Sequence, residues 1–220
     1  MPRALFSVHD KTGLTEFALQ LISLGWDIVA SGGTQRALSD AGLPVTPIEQ
    51  VTGFEEMLGG RVKTLHPAIH AGILARDREE DLQELRDNGF APISMIVCNL
   101  YPFQQTAARA SVTLQEAVEQ IDIGGITLLR AGAKTFMRTL VICDPQDYQQ
   151  VADELVQSGT TSLALRRELA VKAFAHTRDY DTAIHAFLAQ DTGMPVPATE
   201  LPQPLSVGVQ LSDSLRYAET

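Results

Sequence analysis

Two hydrophobic periods alternate along the first half of the chain. The short apolar run at 4–8, ALFSV, has the character of a β-strand. From about Leu14 to Leu24 the apolar positions recur at helical spacing, and Gly25 ends the run. WDIVA at 26–30 predicts a second strand, TQRALSDAG at 34–42 a second helix closed by Gly42, and PVTPIE at 44–49 a third strand. Short connections in a β-α-β-α-β order predict a parallel sheet with helices on both faces. The run ISMIVCNL at 93–100 is the most apolar strand candidate, which suits a central position.

Further along, VTLQEAVEQ at 112–120 and ITLLRAGAK at 126–134 read as helices, and TLVICD at 139–144 as a strand. PQDYQQVADELVQSG at 145–159 begins with proline and ends with glycine, as a helix does. A long helical stretch covers about 162–189. Residues 50–80 carry few periodic signals and several glycines, and read as functional loop. From Asp191 the chain is proline-rich, so the expected organisation is one α/β domain over 1–190 and a linker or tail over 191–220.

Composition narrows the function classes. The 220 residues carry a formal net charge of -10. Such a chain lacks the basic footprint of a nonspecific nucleic-acid binder. No apolar run is long enough for a membrane span. The only cysteines, Cys98 and Cys143, both sit in apolar β-type runs and read as buried free thiols. That usage favours a cytoplasmic location.

Candidate chemistry gathers where the strands end. Ligands of open α/β sheets bind beyond the carboxyl ends of the strands. SVHDKTG, ASGGT and CNLYPF all follow predicted strands. SGGT at 31–34 opens a helix, where small residues let amides and hydroxyls approach an anion; the same string is also a good turn and N-cap. The chain has only four lysines, Lys11, Lys63, Lys134 and Lys172, against thirteen arginines. Lysine is a compact charge whose proton can be shifted by its surroundings. There is no P-loop and no dinucleotide G-x-G-x-x-G string, which argues against ATP or NAD chemistry. His66 and His70 are four apart, but Pro67 lies between them and no acidic partner is suitably placed, so no metal is expected. His176 reads as a hydrogen-bonded structural histidine. Asp122, between two isoleucines and before Gly124 and Gly125, is either a helix cap or an acid/base tuned by burial. Tyr101 precedes a proline and sits at a strand end, either as a core aromatic or as a hydrogen-bond donor to a ligand.

Taken in order, SVHDKTGL, ASGGTQRAL, TGFEEMLGGRVKTLHPAIHAGIL, CNLYPF, VEQIDIGGITLLRAGAK and AFAHTRDYD resemble the IMP cyclohydrolase domain of the bifunctional enzymes that join AICAR transformylase and IMP cyclohydrolase. The resemblance runs from about residue 4 to 190. It implies a methylglyoxal-synthase-like, doubly wound α/β fold. It also implies closure of the purine ring of formyl-AICAR to IMP with loss of water, without cofactor or metal, in a homodimer. By this resemblance Lys63, Tyr101, Asp122 and Lys134 take catalytic positions. Ser7, Lys11, Ser31, Gly32, Gly33, Thr34, Arg61, Thr64, Cys98, Asn99, Ile123 and Gly124 take substrate-binding positions. The chain departs from the family pattern at His9, where serine is usual, and in AGAKTF, where AAAKNH is usual. The closing SLRYAET differs from the string that opens a transformylase domain, so no transformylase activity is expected of these residues. A non-catalytic purine-nucleotide-binding domain on the same scaffold is the alternative, and methylglyoxal synthase is a third reading by fold analogy alone.

Overall fold

The computed structural model describes residues 1–109 and 111–190. The proline-rich stretch 191–220, expected as a linker or tail, lies outside the described residues. The described residues form one parallel sheet of five strands: β1 (Arg3–Val8), β2 (Asp27–Ala30), β3 (Thr46–Pro47), β4 (Met95–Asn99) and β5 (Leu140–Ile142). Their spatial order is β3-β2-β1-β4-β5. β1 is central and β4 is interior between β1 and β5, so the most apolar run is one strand away from the middle position expected for it. The chain winds outward to β3 on one side, then crosses to β4 and β5 on the other. The gap between the carboxyl ends of β1 and β4 is therefore the topological switch point.

The strand side chains alternate between two cores. Ala4, Phe6, Val8, Ile28, Ala30, Met95, Val97, Leu140 and Ile142 enter one face. There they meet α1 (Leu14–Ser23), α2 (Gly32–Asp40), α9 (Tyr148–Ser158) and the start of α10 (Leu163–Gln190). Leu5, Val29, Ile96, Cys98 and Val141 enter the other face. There they meet α3 (Ile48–Thr52), α4 (Pro67–Leu74), α6 (Phe103–Ala107), α8 (Ile123–Lys134) and the rest of α10. The period-two side-chain alternation of a strand makes this division inevitable once the sheet is covered on both sides. Each leucine, isoleucine or phenylalanine fully buried in these layers stabilises the fold by roughly 1.5–3 kcal/mol. Both cysteines are free and buried.

Two expectations need correction. The third strand is only Thr46–Pro47, at the sheet edge, where a proline's missing donor is tolerated. The region 50–80 is loop only in its middle. It also holds the end of α3, all of α4 and the start of α5 (Glu79–Asp87). α4, PAIHAGIL, buries Ala68, Ile69, Gly72 and Ile73 and is apolar almost all round, so it shows no amphipathic stripe. His66 caps it, its Nδ1 accepting from the Ala68 amide at 3.1 Å. The last helix of this half, α7 (Leu114–Glu119), opens with a Thr113–Glu116 capping box.

The AGAKTF departure has a packing role. A Cβ on Gly132 would lie 3.0 Å from Ile96 Cδ1 and 3.1 Å from Val141 Cβ, so glycine lets α8 sit close against β4 and β5. The Thr135 hydroxyl donates to the Ala131 carbonyl at 2.9 Å at the helix end, and Phe136 packs against the second core. Gly132→Val should overfill this contact and cost about 1–3 kcal/mol, read as a melting temperature several degrees lower in a thermal denaturation.

Candidate functional site

A cleft of about 840 Å³ opens at the switch point. Its floor is built by the carboxyl ends of β1 and β4. The Asn99 side chain joins the two: its Oδ1 accepts from the His9 and Asp10 amides at 2.7 and 2.9 Å, and its Nδ2 donates to the Asp10 carbonyl at 2.9 Å. The β1–α1 loop is thereby fixed, with Lys11 projecting along the cleft wall.

One end of the cleft is strongly electropositive. α2 begins at Gly32, whose φ of +51° favours glycine, and no side chain caps the helix. Thr34 and Gln35 amides donate to the Ser31 carbonyl. The Thr34 hydroxyl is occupied with the Val8 backbone at 3.0 Å, tying α2 to β1. The Ser31 hydroxyl, on a residue only 2 % exposed, is enclosed and has no hydrogen-bond partner. Two ammonium groups approach the same helix end. Lys63 Nζ lies 3.1 Å from where a Cβ on Gly32 would stand, and Lys11 Nζ lies 3.9 Å from the corresponding point on Gly33. Two cations beside the positive end of a helix repel one another unless an anion sits among them. Arg61 lines the same cleft and is paired with Glu119.

The other end holds a carboxyl group. Asp122 is the N-cap of α8, its Oδ1 accepting from the Gly125 amide at 2.7 Å. Burial pushes the carboxyl up from its ordinary range; the Gly125 and Tyr101 amides and the Lys63 and His9 charges pull the other way. Asp122 is thus a helix cap, and the same side chain has its proton affinity raised by burial. Tyr180 holds its backbone: the phenol accepts from the Asp122 amide and donates to the Gln120 carbonyl, each at 2.9 Å. The paired glycines are required sterically. A Cβ on Gly124 would stand 2.7 Å from Thr64 Oγ1, and one on Gly125 would stand 2.5 Å from Asp122 Oδ2 and 2.7 Å from Leu100 Cδ2. Tyr101, 39 % exposed, meets the His9 ring edge-on with centroids 5.4 Å apart.

Of the residues singled out in the sequence, Ser7, Lys11, Ser31, Gly33, Thr34, Arg61, Lys63, Thr64, Asn99, Tyr101, Asp122, Ile123 and Gly124 all line this one cleft. Three do not. Gly32 stands just behind the wall, against Lys63. Cys98 is buried beneath the floor, its Sγ 3.8 Å from the Gly125 carbonyl oxygen, and burial raises its thiol pKa well above the ordinary value. Lys134 is exposed at the last turn of α8, whereas Asp122 caps the first. Twelve residues of helical rise separate them by about 18 Å. Sequence reasoning assigned no role to Tyr180 or Glu119. Both sit inside quoted strings, AFAHTRDYD and VEQIDIGG, but nothing in their local spacing shows what they touch. His66 and His70 serve α4 rather than the cleft.

Comparison with known proteins agrees with this fold. The model of the MGS-like domain matches residues 13–127, and that of the AICARFT/IMPCHase bienzyme matches residues 132–220. The chain belongs to the MGS-like domain family. It is 46% identical over 225 residues to the bifunctional purine biosynthesis protein PurH of Desulfitobacterium hafniense, covering 99% of this chain and 42% of that protein. It is 51% identical over 218 residues to the PurH of Chloroflexus aurantiacus, covering 99% of this chain and 41% of that protein. The chain thus spans about two-fifths of the length of these curated relatives. Among solved structures, the crystal structure of ForH matches with a TM-score of 0.76 at 34% identity, covering 85% of this chain and 98% of that one.

Two outcomes follow for this MGS-like domain. Asp122→Asn keeps a side-chain oxygen for the cap and removes the buried ionisation. Because the folded carboxyl holds its proton to higher pH than the unfolded one, wild-type stability declines as pH rises through that interval. The variant's melting temperature should therefore match the wild type at acid pH and equal or exceed it at pH 7, measured in parallel thermal scans. Lys11→Ala and Lys63→Ala should each weaken binding of a small anion in the cleft at least ten-fold by calorimetry, with the loss shrinking as salt is raised.

Proposed function

We propose that this chain is an IMP cyclohydrolase, closing the purine ring of formyl-AICAR to IMP. The observation that carries the reading is the convergence of Lys11, Lys63 and the partnerless Ser31 hydroxyl on the uncapped start of α2, in one cleft with Asp122. A cationic pocket at a helix start suits a monophosphate. Relatives named for purine biosynthesis at 46% and 51% identity support the substrate class.

The chemistry sets the remaining demands. The carboxamide nitrogen attacks the formyl carbon, a C–N bond forms, and the formyl oxygen gathers negative charge. The carboxamide nitrogen gives up one proton and the formylamino nitrogen another. Both leave with the formyl oxygen as water, and no electrons are exchanged. Asp122, whose pKa burial raises, is suited to accept the carboxamide proton. The Lys63 ammonium supplies positive charge for the developing oxyanion. In this reading the Tyr101 phenol, in the cleft lining, donates toward the departing oxygen. Anchoring the phosphate at α2 orients the two reacting groups, which contributes much of the rate. Lys134, at the far end of α8, has no part in this assignment. The AGAKTF changes, the feature that keeps a binding-only domain open as the alternative in the sequence, fall in core packing and are not among the cleft-lining residues.

In the same proposal residues 1–190 form the catalytic domain, and the working form is a cytoplasmic homodimer. No helix among the described residues is long and apolar enough to cross a membrane.

The test is direct. Purified chain mixed with formyl-AICAR, without folate, should produce IMP followed by ultraviolet absorbance. Lys63→Ala and Asp122→Ala should each lower turnover about 10²-fold or more while the chain stays folded by circular dichroism. Tight IMP binding with no turnover by the wild type would overturn the catalytic reading and leave a nucleotide-binding domain.

A further inference from the structure

A second pocket lies at the opposite end of the sheet. Its volume is about 240 Å³, and it opens among the amino ends of the strands, where Trp26, Ser94 and Leu140 lie. Strand length alone separates it from the catalytic cleft by about 15–20 Å. Arg138 and Arg166 line it, together with Thr160 and Thr161, and no carboxylate does. That is unusual in a chain with a formal net charge of -10.

The two guanidinium groups differ in what they touch. Arg138 is engaged through four of its five donors. Its Nε donates to the Ala75 carbonyl, its Nη1 to Ile93 and its Nη2 to Gly72 and Ile73, at 2.7 to 3.2 Å. It closes the carboxyl end of α4 and forms no salt bridge among the described residues; burial lowers its pKa, and the charge of Asp77 pulls the other way. Arg166 is only partly engaged. Its Nη1 donates to the Met137 carbonyl at 2.9 Å, while its Nε is enclosed and has no acceptor. The nearby carboxylate, Glu154, is taken up by the Ser162 amide and hydroxyl at 2.7 and 3.1 Å. A guanidinium lining a pocket with both its enclosed Nε and its Nη2 lacking an acceptor among the described residues is rare and calls for an explanation. Beside it are three hydroxyl groups, a second cation and enough room for a small ion.

We propose that this pocket binds a small tetrahedral oxyanion of the inorganic phosphate class, with Arg166 as its principal ligand. Arg138 contributes positive charge, and Ser94, Thr160 and Thr161 lie within the same wall to offer hydroxyl donors. The site needs neither the nucleotide nor turnover, so it stands independently of the cyclohydrolase reading.

The chain contains a single tryptophan, Trp26, and it lines this pocket. Sodium phosphate titrated into the full chain at constant ionic strength should change Trp26 fluorescence saturably. The change should persist in Lys11→Ala/Lys63→Ala, which disables the phosphate end of the catalytic cleft. It should weaken at least ten-fold in Arg166→Gln and also in Arg166→Lys, which keeps the charge but removes Nε; circular dichroism checks that both variants fold. Acetate should bind at least ten-fold more weakly than phosphate. The proposal fails if no saturable change appears, if both Arg166 variants titrate like the wild type, if the cleft double variant abolishes the signal, or if acetate binds as tightly.

Discussion

The structure depends most on the repulsion gathered at the start of α2. Two ammonium groups and the positive end of a helix are brought within a few ångströms of each other, beside a buried hydroxyl with no partner. Neither ammonium is held in a salt bridge among the described residues, although the Lys63 charge reaches Asp122 and the Lys11 charge reaches Asp10. The fold tolerates this concentration because it lies at the switch point, where the sheet leaves an open crevice instead of a packed layer. Asn99 and Thr34 then act as braces: one locks the β1–α1 loop to β4, and the other locks α2 to β1. Charge that is unfavourable in the empty protein is relieved when an anion enters.

Asp122 shows the same economy at the other end of the cleft. Its carboxylate begins α8, so it is part of the scaffold, and burial alters its proton affinity, so it is also suited to chemistry. The glycine pair that follows keeps Thr64 and Leu100 in close contact with the helix start. α8 therefore has two functions along one axis. Its first turn builds the cleft, and its last two turns fill the gap between β4 and α10, where Gly132 permits close packing.

Much of this was legible before any coordinates. The alternation in ALFSV, WDIVA and ISMIVCNL identifies β1, β2 and β4, and Gly159 marks the end of α9, while Pro145 opens a 3-10 turn over 145–147 just ahead of it. α4 escapes the periodic reading because a helix that is apolar nearly all round carries no polar face to reveal its period. The third strand was drawn too long because VTPIE reads as β-type locally, while Pro47 and the helix that follows end the pairing after two residues. Among site residues, those held by their own loop or helix end were readable. Tyr180 was not, because it reaches Asp122 from 58 positions away in sequence.

The sequence by itself determined the strands, most of the helices and the chemical character of the strand-end strings, because these follow from local periodicity and from short motifs with special backbone needs. Only the tertiary structure decided which of those strings meet. It brought Lys63 to Gly32 and Lys11 to Gly33, put Asp122 in the same cleft, and carried Lys134 away along α8. A helix rises about 1.5 Å per residue. Two residues of one motif can therefore stand some 18 Å apart, while residues from distant motifs converge where the sheet order reverses.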